Sequence, residues 1–136
     1  MVQCSSMINR KMGKVIKFSG LNVWPHEMWE ADILAAHGHI VEFIPISNNE
    51  YETTPDVLID GEKWEIKSPQ GSLKSVERNL KKARWQSDSI LFVSKRMKQI
   101  PDKAIERELR KWSNEINNIR RVKFINRRSK IVDIKT

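Results

Sequence analysis

"PDVLIDGEKWEIKSP", residues 55–69, is the stretch that decides how this chain folds. Asp60-Gly61 stands between two apolar-containing runs, which is a strong short-range hairpin signal. Residues two apart on a strand share a face, so Glu65 and Lys67 point together while Trp64 and Ile66 point the other way. With Asp60-Gly61 as the turn, Ile59 faces Glu62, Leu58 faces Lys63, Val57 faces Trp64 and Asp56 faces Glu65. With the loop centred on Gly61-Glu62, Asp56 faces Lys67 and stays near Glu65. Either register brings Asp56, Glu65 and Lys67 to one end of the hairpin.

Directly opposed side chains have Cβ atoms roughly 4.5–5.5 Å apart, and like charges at that separation repel. Two carboxylates so placed favour a shared proton or a cation. Mg2+ fits, because it takes hard oxygen ligands and usually needs only one or two protein carboxylates. The backbone carbonyl of Ile66 offers a further oxygen. Such an ion activates water and offsets charge on a departing oxygen. Lys67 would then position the attacking water or stabilise charge in the transition state. The same alternation also fits an exposed strand face carrying a weak surface ion pair.

Working outward, Lys14–Phe18 reads as a first strand. "WPHEMWEADILAAHG" (24–38) reads as a helix, with Pro25 at its first position and Gly38 as its stop. "HIVEFI" (39–44) is a strand, and "PISNNEYETTP" (45–55) a polar loop or flap. Beyond the hairpin and the loop "SPQGS" lies a helix over 73–87, striped by Leu73, Val76, Leu80 and Ala83. "SILFV" (89–93) is a buried strand. Residues 101–119 form a helix with Ile105, Leu109, Trp112, Ile116 and Ile119 on one face. "RVKFIN" and "KIVDI" close as a hairpin around "RRS". No repeat, low-complexity tract or linker interrupts the order. The expectation is one domain, 1–136, with 1–13 a frayed tail, built as a mixed sheet with helices packed on it.

At 136 residues, 39% hydrophobic and 31% charged, the chain suits one soluble globular core. No apolar run reaches membrane-spanning length, and the N-terminus has no apolar signal-peptide region. Cys4 is the only cysteine, which excludes an internal disulfide and a cysteine-based zinc cluster. The net charge of +8 is unevenly spread. Residues 20–66 hold ten acids and one Lys, a net of −9, whereas 74–130 hold eighteen basic and six acidic residues, a net of +12. A basic half reads either as a solvated surface or as a footprint for a polyanion, nucleic acid rather than membrane. Lys74, Arg78, Lys81, Lys82 and Arg84 lie along the helix after the hairpin, and Arg127, Arg128 and Lys130 extend the same charge. Trp64, Trp85 and Trp112 read as core or edge packing, while Trp24 and Trp29 could stack a base.

Pro55-Asp56 followed by Glu65-Ile66-Lys67 resembles the PD-(D/E)XK nuclease superfamily. More narrowly, "PHE…A…G" at 25–38, "PDVLIDGEKWEIKSPQGS" and "ARWQSDSILF" are similar to the C-terminal tRNase toxin domain of CdiA contact-dependent inhibition proteins. The likeness covers residues 24 to 96. It implies an α/β (α+β) restriction-endonuclease-like fold with a mixed central sheet flanked by helices. It implies a nuclease dependent on Mg2+ or Mn2+ that cuts phosphodiester bonds in RNA, tRNA first, as a contact-dependent inhibition or mobile-element toxin.

Carried over by residue, Asp56 and Glu65 are the metal carboxylates and Lys67 the catalytic lysine, with Ile66 lending its carbonyl. Glu27 is the helix acid, and Glu30, one turn on, is the alternative, read otherwise as an exposed helix charge. Gln86 matches the "QS" of the family and orients the lysine or contacts phosphate, or else caps the helix. The resemblance also implies action in the cytoplasm of a target cell and a cognate immunity protein. A DNA endonuclease of restriction or junction-resolving type, and a non-catalytic nucleic-acid-binding module, fit the same residues.

Overall fold

The turn forms as its residues require. Asp60 and Gly61 both adopt positive φ, 53° and 85°, the signature of the primed hairpin turn that Asp-Gly favours. The computed structural model describes residues 13–18, 20–45 and 56–136, and of Asp56 the backbone alone. The N-terminal tail with Cys4 and the 46–55 part of the polar loop lie outside the described residues. The chain divides into two compact units between Lys63 and Trp64.

The first unit holds strand β1 (Lys14–Lys17), helix α1 (Pro25–Ala36), and strands β2 (Ile40–Ile44), β3 (Asp56–Ile59) and β4 (Glu62–Lys63). Its sheet runs β1-β2-β3-β4, parallel between β1 and β2 and antiparallel after that. Pro25 takes the first helical position, where its missing N–H costs nothing. At the other end Gly38, with φ 97°, closes α1 in a Schellman motif. His39 N–H donates to Leu34 O at 3.0 Å and Gly38 N–H to Ala35 O at 3.0 Å. The turn into β2 is pinned by Asp60, whose Oδ1 accepts from Ile40 N at 2.9 Å and whose Oδ2 lies 2.7 Å from His39 Nδ1. Gly13 is seated against His39, where a Cβ would stand 1.7 Å from the carbonyl oxygen.

The second unit holds β5 (Glu65–Lys67), α2 (Lys74–Ala83), β6 (Ser89–Val93), α3 (Asp102–Glu115), β7 (Arg121–Ile125) and β8 (Ile131–Lys135). Its sheet order is β5-β6-β7-β8, with the first three strands parallel and β8 antiparallel to β7. All five residues of β6 are buried, which fits a strand covered on both faces. Val76, Leu80 and Ala83 of α2 and Ile105 and Leu109 of α3 pack with Ile90, Phe92, Val122 and Phe124 into one core. Burial of such side chains contributes about 1.5–3 kcal/mol each relative to exposure. The closing hairpin expected around "RRS" is β7–β8.

Two expectations are corrected. In place of one mixed sheet the described residues form two, each of four strands, in a mixed α+β architecture. The long hairpin is also interrupted. β3 and β4 pair only as Leu58↔Lys63 and Ile59↔Glu62, and Glu65, Ile66 and Lys67 instead lie parallel to Ile90, Leu91 and Phe92. Trp64 marks the break. It is 4% exposed and packs under Arg121, whose Cζ is 4.8 Å from the ring centroid. Burying this ring in the second unit outweighs the few ladder hydrogen bonds that a longer hairpin would add. Among the described residues no helix is long and apolar enough to cross a membrane.

Candidate active site

Helix α1 carries both helix acids, and they are treated differently. Trp24 N–H donates to Glu27 Oε1 at 2.9 Å, which is half of a capping box. The reciprocal half is absent because Trp24 has no side-chain oxygen. Glu30, expected as an exposed helix charge, is instead 0% exposed. The reason lies in helical spacing: Glu30 falls three and four residues before Ile33 and Leu34, on the buried stripe. That spacing was present in the sequence and is the signal that could have found it. Burying a carboxylate is costly unless its surroundings compensate.

Asp56 opens β3, its backbone in register with Ile44, and its side chain lies outside the described residues. The expectation that Asp56 faces Glu65 or Lys67 across one ladder is corrected by the change of partner at Trp64.

The Glu65–Lys67 pair is present as the alternation requires. Both side chains leave the same face of β5, with Lys67 Nζ 3.4 Å from Glu65 Oε2. They are 19% and 22% exposed, so the pair is largely withdrawn from water yet still reachable. At such partial burial a charge pair is screened less than on an open surface. Chemically it offers one carboxylate for a hard cation and one ammonium for an anionic oxygen. Ile66 lies between them in register with Leu91. Among the described residues no three side chains of His, Cys, Asp and Glu gather into a metal cage.

Helix α2 follows and packs against β5. Its buried stripe leaves Lys74, Arg78, Lys81 and Lys82 on the exposed side. With Arg84 and Trp85 they line a shallow groove of about 540 Å³, in which Glu77 is paired to Lys81 at 2.7 Å. Gln86 sits in the turn after α2 with an exposed side chain, and its backbone N–H donates to Ala83 O at 2.8 Å. Trp64 and Trp112 pack as expected, but Trp85 does not: it is 69% exposed, with Arg84 Cζ stacked 4.5 Å from its centroid.

In the β7–β8 turn the two arginines are placed differently. Arg127 donates through Nη1 to Lys98 O at 2.7 Å and through Nη2 to Ile100 O at 2.9 Å, and its backbone N–H donates to Asp102 Oδ2 at 3.1 Å. Its fork ties the turn to the segment that leads into α3. Arg128 is exposed, and its backbone N–H donates to Asn126 Oδ1 at 2.9 Å.

The contact-dependent growth inhibition CdiA C-terminal domain family matches residues 52–131. That range takes in β3 to the start of β8, including Asp56, Glu65, Lys67 and all of α2. Among solved structures, a chain from the CdiA-CT/CdiI toxin and immunity complex of Burkholderia pseudomallei is similar, with a TM-score of 0.67 at 18% identity. The alignment covers 90% of this chain and 100% of that one, a likeness of fold. No curated protein sequence matches.

Proposed function

The chain belongs to the contact-dependent growth inhibition CdiA C-terminal domain family, and from that premise we propose that it is a toxin domain that hydrolyses phosphodiester bonds in RNA, tRNA first. The observation that carries this reading is the Glu65–Lys67 pair on one face of β5, 3.4 Å apart and only partly exposed. The PD-(D/E)XK assignment adds Asp56, nine residues before Glu65.

Asp56 and Glu65, with the Ile66 carbonyl, are the hard oxygens that would hold Mg2+ or Mn2+. When bound, such an ion polarises water and offsets charge on the leaving oxygen. Lys67 donates to a non-bridging phosphate oxygen, where charge accumulates as the bond to phosphorus forms. Glu65, 3.4 Å from the Lys67 Nζ, orients the amine towards that oxygen. Of the helix acids we place Glu30 before Glu27, because Glu27 Oε1 is engaged by Trp24 N–H while Glu30 is withdrawn from solvent. The cations of α2 would draw the substrate backbone towards β5. The related structure is described as a toxin and immunity complex. By the same logic this domain acts in the cytoplasm of a target cell and is neutralised by a cognate immunity protein.

The test is to incubate the protein with total tRNA, plasmid and branched DNA, each with Mg2+, with chelator, and as Lys67→Ala. Cleavage of tRNA that needs both the ion and Lys67 is the expected result. Cutting that survives chelator would overturn the metal assignment. Cutting of DNA alone would turn the reading to a DNA endonuclease, and cutting of neither would leave a binding module.

A further inference from the structure

A tryptophan in a charged chain normally hides its ring, and four of the five here are less exposed than Trp85. Trp85 stands 69% exposed just past the end of α2. Its ring is held by the guanidinium of Arg84, stacked at 4.5 Å, so one face is fixed and the side chain is pre-oriented. Arg84 is itself unlike Arg127. Its Nε is buried and has no hydrogen-bond partner, whereas the Arg127 fork is satisfied by two carbonyls. The same groove is lined by Lys74, Arg78, Lys81 and Lys82, with Glu77 already neutralised by Lys81. An aromatic platform beside a row of cations is the arrangement that binds single-stranded nucleic acid: the cations track the backbone, and the ring takes a base.

We propose that the Trp85–Arg84 pair is a base-stacking platform that selects an unpaired nucleotide flanked by phosphates seated along α2. This rests on the nucleic-acid reading above and sharpens it, because a base inside a duplex is already stacked and cannot reach the ring. The preferred substrate is therefore a loop or single-stranded end rather than a continuous helix. The stacking is sequence-tolerant, because every base has a π-face. An acidic protein seated in the groove would use the cations but gain little from Trp85.

The test measures binding by anisotropy in chelator, on a Lys67→Ala background, so that it is read without cleavage. The probes are a labelled RNA hairpin with an unpaired loop, a blunt RNA duplex of equal charge, and polyglutamate. Trp85→Ala is expected to weaken hairpin binding by roughly five- to hundredfold and duplex binding by less than about twofold. Trp85→Phe retains most of the affinity, and far-UV circular dichroism checks that each variant is folded. Equal losses on hairpin and duplex, or no loss on either, would overturn the platform. Polyglutamate bound as tightly as the hairpin, and equally by Trp85→Ala, would also overturn it and assign the groove to an acidic protein. Failure of the nuclease reading is seen separately, as absence of cleavage by the wild-type chain with Mg2+.

Discussion

The basic face of α2 and Arg127 in the basic turn between β7 and β8 read alike in sequence, yet their side chains do opposite things. Arg127 is an internal brace, with its fork donating to Lys98 O and Ile100 O. Lys135, at the end of β8, does the same at the end of α3, donating to Ser113 O at 3.0 Å, a carbonyl of the last helical turn, and to Ile119 O at 2.9 Å in the segment beyond it. On α2 the cations project to solvent, and the neighbouring polar pair on β5 is reachable as well. Charge therefore says little about role. What separates the two regions is whether backbone carbonyls stand within reach of the donors. Helix and strand ends expose such carbonyls, and the middle of a helix does not.

Substitutions can sharpen or break this contrast. The largest effect is expected at Lys67: Lys67→Ala lowers the rate of RNA cleavage by about 10²–10³-fold, the effect of removing one donor from a developing negative charge. Its unfolding free energy should move by less than about 1 kcal/mol. A large stability loss with unchanged turnover would make the pair structural. Next is Arg127→Ala, which removes charged hydrogen bonds to two carbonyls and should cost about 2–3 kcal/mol in urea unfolding, with RNA affinity little altered. If affinity falls and stability holds, the turn belongs with α2 after all. Lys135→Ala follows at about 1–2 kcal/mol, again with binding unchanged, because it uncovers the carbonyls of Ser113 and Ile119. The smallest change is at Arg78→Ala: stability within about 0.5 kcal/mol, and a salt dependence of RNA binding shallower by about one counterion.

Much of this was legible in the residues. The Asp60-Gly61 turn, the Pro25 start and Gly38 stop of α1, the fully buried β6 and the β7–β8 hairpin all follow from local chemistry. The alternation that sets Glu65 and Lys67 on one face is equally local. What was not legible is partner choice. Nothing within residues 55–69 says that the strand must leave β3 at Trp64 and lie parallel to β6, because that depends on a core contributed by residues from Val76 to Phe124. Glu30, the alternative helix acid, reads as exposed from its charge alone, whereas its place on the apolar stripe buries it. Trp85 was read as packing because large rings usually pack. Its exposure follows from helical phase: residue 85 falls seven, four and three positions after Arg78, Lys81 and Lys82, on the face opposite the Val76–Ala83 stripe.

The parallel pairing of β5 with β6 has a consequence for how the chain acquires chemistry. A hairpin zips from its turn, but Glu65 meets its neighbour Ile90 only across an intervening helix, and Ile90 in turn needs Val122. Contacts of such long sequence separation form slowly and late. The acid and the amine of β5 therefore gain their shared setting near the end of folding, and a chain cut short before Ser89 would carry both residues without the strand that holds them.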